Sequence, residues 1–169
     1  AETEVIQGVL NSKAKYVRDI MTPIDRTVAL EHDSTLEDFM AVYREQRYSR
    51  VPIIASSGSR VVGVAHVKDV MREIVAGGDP SEKPVCSVSN AACLVPAGSP
   101  ALDAFNAIRS RRAHLAVVVD RGVIAGIVTL EDFLEEIVGD IPEDISGRVL
   151  KQAYSAIGLA AAAQNVENS

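Results

Sequence analysis

The 169-residue chain has no run of about 18 or more strongly apolar residues, so no part of it is built to cross a bilayer as a helix. The alanine-rich stretch from Ala153 to Val166 is too short and too weakly apolar for that task. Basic residues are not in excess either. The formal net charge is −6, and because a nucleic-acid backbone calls for a concentrated basic face, a nucleic-acid partner is argued against. A single nucleotide needs only a few local cations. Cysteine is scarce: Cys86 and Cys93 stand at a spacing that matches neither a zinc site nor a redox pair, and they read as buried thiols. His32, His66 and His114 lack helical metal spacing such as H-E-x-x-H, and none lies in a nucleophile motif. With no glycine-rich P-loop and no nucleophile beside a base, the sequence speaks against an enzyme. The chain opens on alanine without a signal-peptide pattern, which predicts a piece of a longer protein.

At 47% hydrophobic and 24% charged, the composition is that of a globular protein, and the length allows one well-cored domain or two small modules sharing a core. Internal repetition favours two modules. The stretch Gly126-Ile127-Val128-Thr129-Leu130-Glu131-Asp132 is an apolar strand pattern that passes directly into a helical one, Phe133-Leu134-Glu135-Glu136-Ile137-Val138. The first N–H groups of such a helix lack internal partners and its dipole is positive there, so the junction suits an anion. The Thr129 hydroxyl can bond a phosphate oxygen, and the Asp132 carboxylate can accept from both hydroxyls of a ribose. The same Thr-x-x-Asp is also an ordinary capping box that requires no ligand. Earlier in the chain, Gly63-Val64-Ala65-His66-Val67-Lys68-Asp69 repeats the glycine, the strand end and the aspartate, and Val70 to Val75 repeats the helical pattern.

Taken in order, 1–15 holds an N-terminal amphipathic helix carrying Val5, Ile6, Val9 and Leu10. Residues 16–78 form the first module. There, Tyr16 to Leu30 is expected to be largely extended with no helix across Pro23, and a helix starts at Asp33 or Ser34, with Ser34 and Glu37 as a capping box. Ser49 to Ile54 and Arg60 to Ala65 read as a hairpin that feeds the Asp69 helix, which ends near Gly77-Gly78. Residues 79–84, with two prolines, read as a linker. Residues 85–145 repeat the pattern: Val85 to Val95 extended, a helix from Ser99-Pro100 with Leu102, Phe105 and Ile108 on one stripe, the strand Leu115 to Val119, a hairpin turn at Asp120-Arg121-Gly122, and the Thr129 junction. The tail, 146–169, is partly helical or disordered. The unit is β-α-β-β-α, twice, in an α/β (α+β) fold whose small modules are expected to pack sheet to sheet about a pseudo-twofold axis.

The doubled Gly-apolar-x-(Thr/His)-x-x-Asp ending resembles a tandem pair of CBS domains, a Bateman module. More narrowly, Glu4 to Leu10, Val17-Arg18-Asp19-Ile20-Met21-Thr22-Pro23, Ser49-Arg50-Val51-Pro52, Gly63 to Asp69 and Thr129 to Gly139 resemble the CorC/HlyC/CNNM-type family of magnesium and cobalt transport proteins, across roughly residues 2–145. The resemblance implies an adenine-nucleotide sensor, for ATP with Mg2+ held by its phosphates or for AMP, on the cytosolic or stromal side of a membrane transport domain of the same parent. It also implies Thr129 at the phosphate, Asp132 at the ribose diol, Thr22 and Ile24 at the base, and Arg50 at the phosphates, with no metal ligands and no catalytic residues. An alternative for Arg50 is a salt bridge to a nearby helix end. A second, weaker cleft would use His66, Asp69, Pro96 and His114. Two departures weaken the pattern: His66 replaces a hydroxyl residue, and Ile24 stands where many relatives carry arginine. The basic run Arg109-Ser110-Arg111-Arg112 pairs with a helix dipole or lines the second cleft. Apolar faces left on small modules predict a homodimer. The competing reading is a dimerisation module with vestigial clefts.

Overall fold

A computed structural model of the protein describes residues 15–56 and 58–138. The N-terminal helix and the tail expected from sequence lie outside the described residues. The order of elements is α1 (Val17–Ile20), β1 (Thr22–Pro23), β2 (Leu30–Glu31), α2 (Leu36–Gln46), β3 (Arg50–Ala55), β4 (Arg60–His66), α3 (Val67–Val75), β5 (Cys93–Pro96), α4 (Ala101–Ser110), β6 (Leu115–Asp120), β7 (Val123–Thr129) and α5 (Leu130–Val138). Single 3-10 turns lie at Ile24–Arg26 and Val85–Val88. The expected β-α-β-β-α unit is present twice, as β2-α2-β3-β4-α3 and β5-α4-β6-β7-α5. The fold is mixed α and β, with a three-stranded sheet in the order β2-β3-β4 and a four-stranded sheet in the order β1-β7-β6-β5. No helix among the described residues is long and apolar enough to cross a membrane.

The chain divides into two compact units that are discontinuous in sequence. Among the described residues, one gathers 22–94 and 117–127, and the other 15–21, 95–116 and 128–138. In the first of these, the apolar stripe of α2 and the buried face of the β3–β4 hairpin converge. Leu36, Phe39, Val51, Ile53, Ala65, Val70 and Val85 are packed together and almost wholly buried. Their burial contributes roughly 1.5–3 kcal/mol for each large side chain. The hairpin carries a bulge between Ile53 and Ile54, where the partner shifts from Gly63 to Val61. In the other unit Phe105 of α4 and Phe133 of α5 meet edge to face, with ring centroids 5.5 Å apart at 72°. Ile108, Ala104, Val17 and Val128 are buried in the same unit.

Local signals explain most boundaries; the stretch from Tyr16 to Leu30, expected to be largely extended, instead holds the helix Val17–Ile20 and the 3-10 turn Ile24–Arg26, and two further boundaries are corrected. Helix α2 is capped one residue later than the sequence suggests: Thr35 is the N-cap, its hydroxyl accepting from Asp38 N at 3.2 Å while its own N–H donates to Asp38 Oδ2 at 2.8 Å. The Ser34 N–H is already used by a turn to the Glu31 carbonyl, which leaves Thr35 in the extended conformation that a cap requires. Helix α3 ends at a Schellman motif, with Gly77 at φ +100°, its N–H donating to Ile74 O, and Gly78 N–H donating to Glu73 O. The second correction is Val85–Val88, which forms a 3-10 turn instead of extended chain. The hydroxyl of Ser87 donates to Pro84 O and that of Ser89 to Cys86 O, and these local bonds compete with a sheet ladder. The loop between β6 and β7 has positive φ at both Arg121 (51°) and Gly122 (77°), as a type I′ turn demands.

Candidate functional site

Strand β7 runs without a break into α5, and the junction is locked by its own side chains. Thr129 N–H donates to Asp132 Oδ2 at 2.8 Å and Asp132 N–H donates to Thr129 Oγ1 at 3.2 Å. This geometry is the capping box that the sequence pattern allows. The box satisfies two of the helix's unpaired donors, yet among the described residues Asp132 Oδ1 has no protein donor. Burial pushes the Asp132 carboxyl above its ordinary value; the two bonds from Thr129 oppose that shift, and Glu135 and Glu131 add to it. A half-buried carboxylate with a spare oxygen can take the hydrogen-bond donors of a polar ligand. It is also ill suited to standing unpartnered. Beside it, the Leu130 N–H donates to the His114 carbonyl at 3.1 Å, which ties the start of β6 to the start of α5.

The twin junction between β4 and α3 is built differently. His66 is the N-cap, and its Nδ1 accepts from Lys68 N at 2.9 Å. Asp69 takes no part in this cap. Its Oδ1 accepts from Arg72 Nη1 at 3.1 Å and its Oδ2 from Asn90 Nδ2 at 3.1 Å, so both oxygens are committed within the protein. Asn90 is held in place by a pair of backbone bonds with Val64, at 2.8 and 2.9 Å. Gly63 makes that approach feasible: a Cβ there would lie 2.5 Å from the Asn90 carbonyl oxygen. The Asp69–Arg72 pair follows from helical spacing and was open to sequence reasoning. Asn90 carries no such signal, since it reaches Asp69 only through the fold.

The other candidates are distributed as follows. Thr22 and Pro23 form β1, where Thr22 faces Ile127 and Pro23 faces Gly126, two positions short of the β7 terminus in the first case. Ile24 lies in the 3-10 turn that follows, partly buried. Arg50 opens β3 and is the register partner of His66, and the neighbouring Ser49 carbonyl accepts from Val67 N at 2.8 Å. Ser49 thus sits at the first copy's junction in the position that His114 occupies at the second, and Arg50, like Leu115, is the first residue of the strand that follows. Arg50, His66 and His114 all make interactions within the protein. Pro96, at the end of β5, is exposed. Of the basic run, Arg109 stacks over the Phe105 ring at 5.8 Å, while Arg111 and Arg112 are exposed at the end of α4. Among the described residues no cluster of His, Cys, Asp and Glu is arranged to hold a metal ion.

Comparison with known proteins agrees with this architecture. The CBS domain family model matches residues 17–76 and 87–139. Magnesium and cobalt efflux protein CorC of Pasteurella multocida is 33% identical over 142 residues, covering 83% of this chain and 47% of the relative. A chloroplastic DUF21 domain-containing protein of Arabidopsis thaliana is 35% identical over 149 residues, covering 83% of this chain and 22% of the relative. The chain therefore spans less than half the length of these relatives. Among solved structures, the CBS domain of a bacterial CNNM/CorC family Mg2+ transporter in complex with ATP is 40% identical, with a TM-score of 0.73, covering 83% of this chain and 100% of that one. The structure of the same kind of domain described without ligand gives a TM-score of 0.72 at the same identity. The chain thus belongs to the CBS-domain family, as a tandem CBS pair of the CNNM/CorC type.

Proposed function

We propose that this CBS pair is the regulatory, non-catalytic nucleotide sensor of a membrane-associated magnesium or cobalt transport-type protein, facing the cytosol or an organelle stroma. Its ligand is an adenine nucleotide, ATP with Mg2+ held by the phosphates, or AMP. The observation that carries the reading is the contrast between the two junctions: among the described residues Asp132 commits one carboxylate oxygen, Oδ2, to its cap, whereas Asp69 commits both of its own. Thr129 with the α5 N-terminus receives phosphate, and Asp132 receives the ribose diol. Thr22 and Ile24 at the base and Arg50 at the phosphates complete the set that the resemblance assigns. The cleft of His66, Asp69, Pro96 and His114 is the weaker one. The ATP complex of a CBS domain 40% identical to this chain supports the choice of ligand class. Occupancy shifts the packing of two modules in a homodimer, and the shift biases the transport domain, provided the nucleotide prefers one arrangement. Met71 and Val75, one turn apart on α3 and 49% and 86% exposed, supply an apolar face for dimerisation.

The self-contained Thr129–Asp132 box favours one competitor, a dimerisation module whose clefts are vestigial. Isothermal titration with AMP, ADP and ATP, with and without Mg2+, separates the two. The sensor gives a saturable heat that is lost in Thr129→Ile and reduced at least about tenfold in affinity in Asp132→Ala, since a charge-assisted bond contributes on the order of 1.5–3 kcal/mol. No heat from any of the three nucleotides rejects the sensor in favour of the dimerisation module.

A further inference from the structure

The nine residues from Lys15 to Pro23 are tied to the β7–α5 segment on both sides of the Thr129–Asp132 junction. On the helical side, Lys15 Nζ pairs with Glu136 Oε1 of α5, and the two side chains are only 36% and 24% exposed. On the strand side, Thr22 and Pro23 pair with Ile127 and Gly126. Between these ties, the backbone is fastened to the segment before α4: Ala101 N–H donates to Lys15 O at 2.9 Å, Val17 N–H to Ser99 O at 2.9 Å and Arg18 N–H to Ala97 O at 3.1 Å. Val17 is fully buried, and α1 packs on both α4 and α5. Asp132 and Glu136 lie one turn apart on α5, about 6 Å, within the range that salt leaves unscreened.

We propose that residues 15–23 form a strap whose docking is thermodynamically linked to nucleotide occupancy of the Thr129–Asp132 junction, with the Lys15–Glu136 pair as the linking contact. The proposal rests on the nucleotide reading given above. Phosphate arriving at the start of α5 adds negative charge to a helix that already carries Glu131, Asp132, Glu135 and Glu136, and this deepens the potential that holds the Lys15 ammonium. The bound state therefore tightens the strap, and by reciprocity a tighter strap raises nucleotide affinity by the same factor. In a longer parent, whatever precedes residue 15 would feel the ligand through this segment.

Amide exchange at Val17 and Arg18, read with and without saturating ATP and Mg2+ and accompanied by calorimetry, tests the linkage. In the wild-type chain ATP slows both amides, and in Glu136→Gln and in Lys15→Ala at matched saturation the slowing is smaller by about two- to five-fold, the scale of a partly exposed ion pair. Both variants bind ATP more weakly by that same factor. Equal slowing in wild type and variants, with ATP bound in all of them, overturns the strap and leaves the nucleotide reading standing. Absence of any nucleotide binding to the wild-type chain removes both.

Discussion

Asp132 carries two conflicting demands in one side chain. It must cap α5 through Oδ2, and its burial makes the ionised form expensive. Because the folded protein retains the Asp132 proton to a higher pH than the unfolded chain, whose carboxyl titrates near the ordinary 3.8, native stability contributed by this group is fully present below that value. It is lost as pH rises through the raised one. Asp132→Asn keeps the carbonyl oxygen for the Thr129 N–H and removes the charge. Urea denaturation should therefore show the variant gaining on the wild type as pH is raised from about 3.5 to about 7, across the range in which carboxylates titrate. A stability difference that does not change with pH would mean that Asp132 is not desolvated in solution. The same substitution weakens nucleotide binding, because an amide is a poorer acceptor for ribose hydroxyls than a carboxylate. Stability and affinity moving in opposite directions at one residue is the signature of a group retained for its ligand.

At the scale of elements, the repeat was legible because its signals are local. The stripe Leu36, Phe39 and Met40, the alternation into Ala65 and Val128, and the glycines at 77 and 122 each act through near neighbours in sequence. What sequence could not supply were the contacts made by chain closure. Asn90 reaching Asp69, Lys15 reaching Glu136 and the Val85 side chain entering the core of the 22–94 unit are separated in sequence by 21, 121 and tens of residues respectively. Capping was readable as a type but not to the residue, since Asp33, Ser34 and Thr35 are all competent caps and only the turn at Glu31 decides among them. Likewise, Thr129-x-x-Asp132 was legible as a capping box, but that its twin is internally satisfied was not, because Asn90 has no periodic relation to Asp69. Gly63 permits the crossing of β4 and the 89–90 segment, so Gly63→Ala must push the Asn90 carbonyl aside from a 2.5 Å approach. A loss of about 1–3 kcal/mol is expected in chemical denaturation. Loss below about 0.5 kcal/mol would show that the 89–90 segment yields freely.

For the molecule as a whole, ligand binding should register in global stability. If ATP binds the native state alone, a concentration one hundred times Kd adds about 2.7 kcal/mol. For a chain of 169 residues, that corresponds to a rise in Tm of roughly 5–10 °C. Differential scanning calorimetry with ATP and Mg2+ should show that rise in the wild type and none in Thr129→Ile. An equal rise in both would move the binding site away from the β7–α5 junction. The connection between the repeats bears on how such a molecule can be cut or lengthened. Leu36 N–H donates to Lys83 O, Glu37 N–H to Pro80 O and Val85 N–H to Ser34 O, so the residues from 79 to 90 are woven through the first repeat before the second begins. An excision that stops at Gly78 would strip the first repeat of Val85 and Asn90. It would open a hole in its core and release the Asp69 carboxylate, so that the severed half, though complete as a repeat in sequence, would be incomplete as a folded object. Swapping or extending this connection between related proteins is constrained for the same reason: its length is set by the distance from Pro84 to the aspartate that Asn90 must reach.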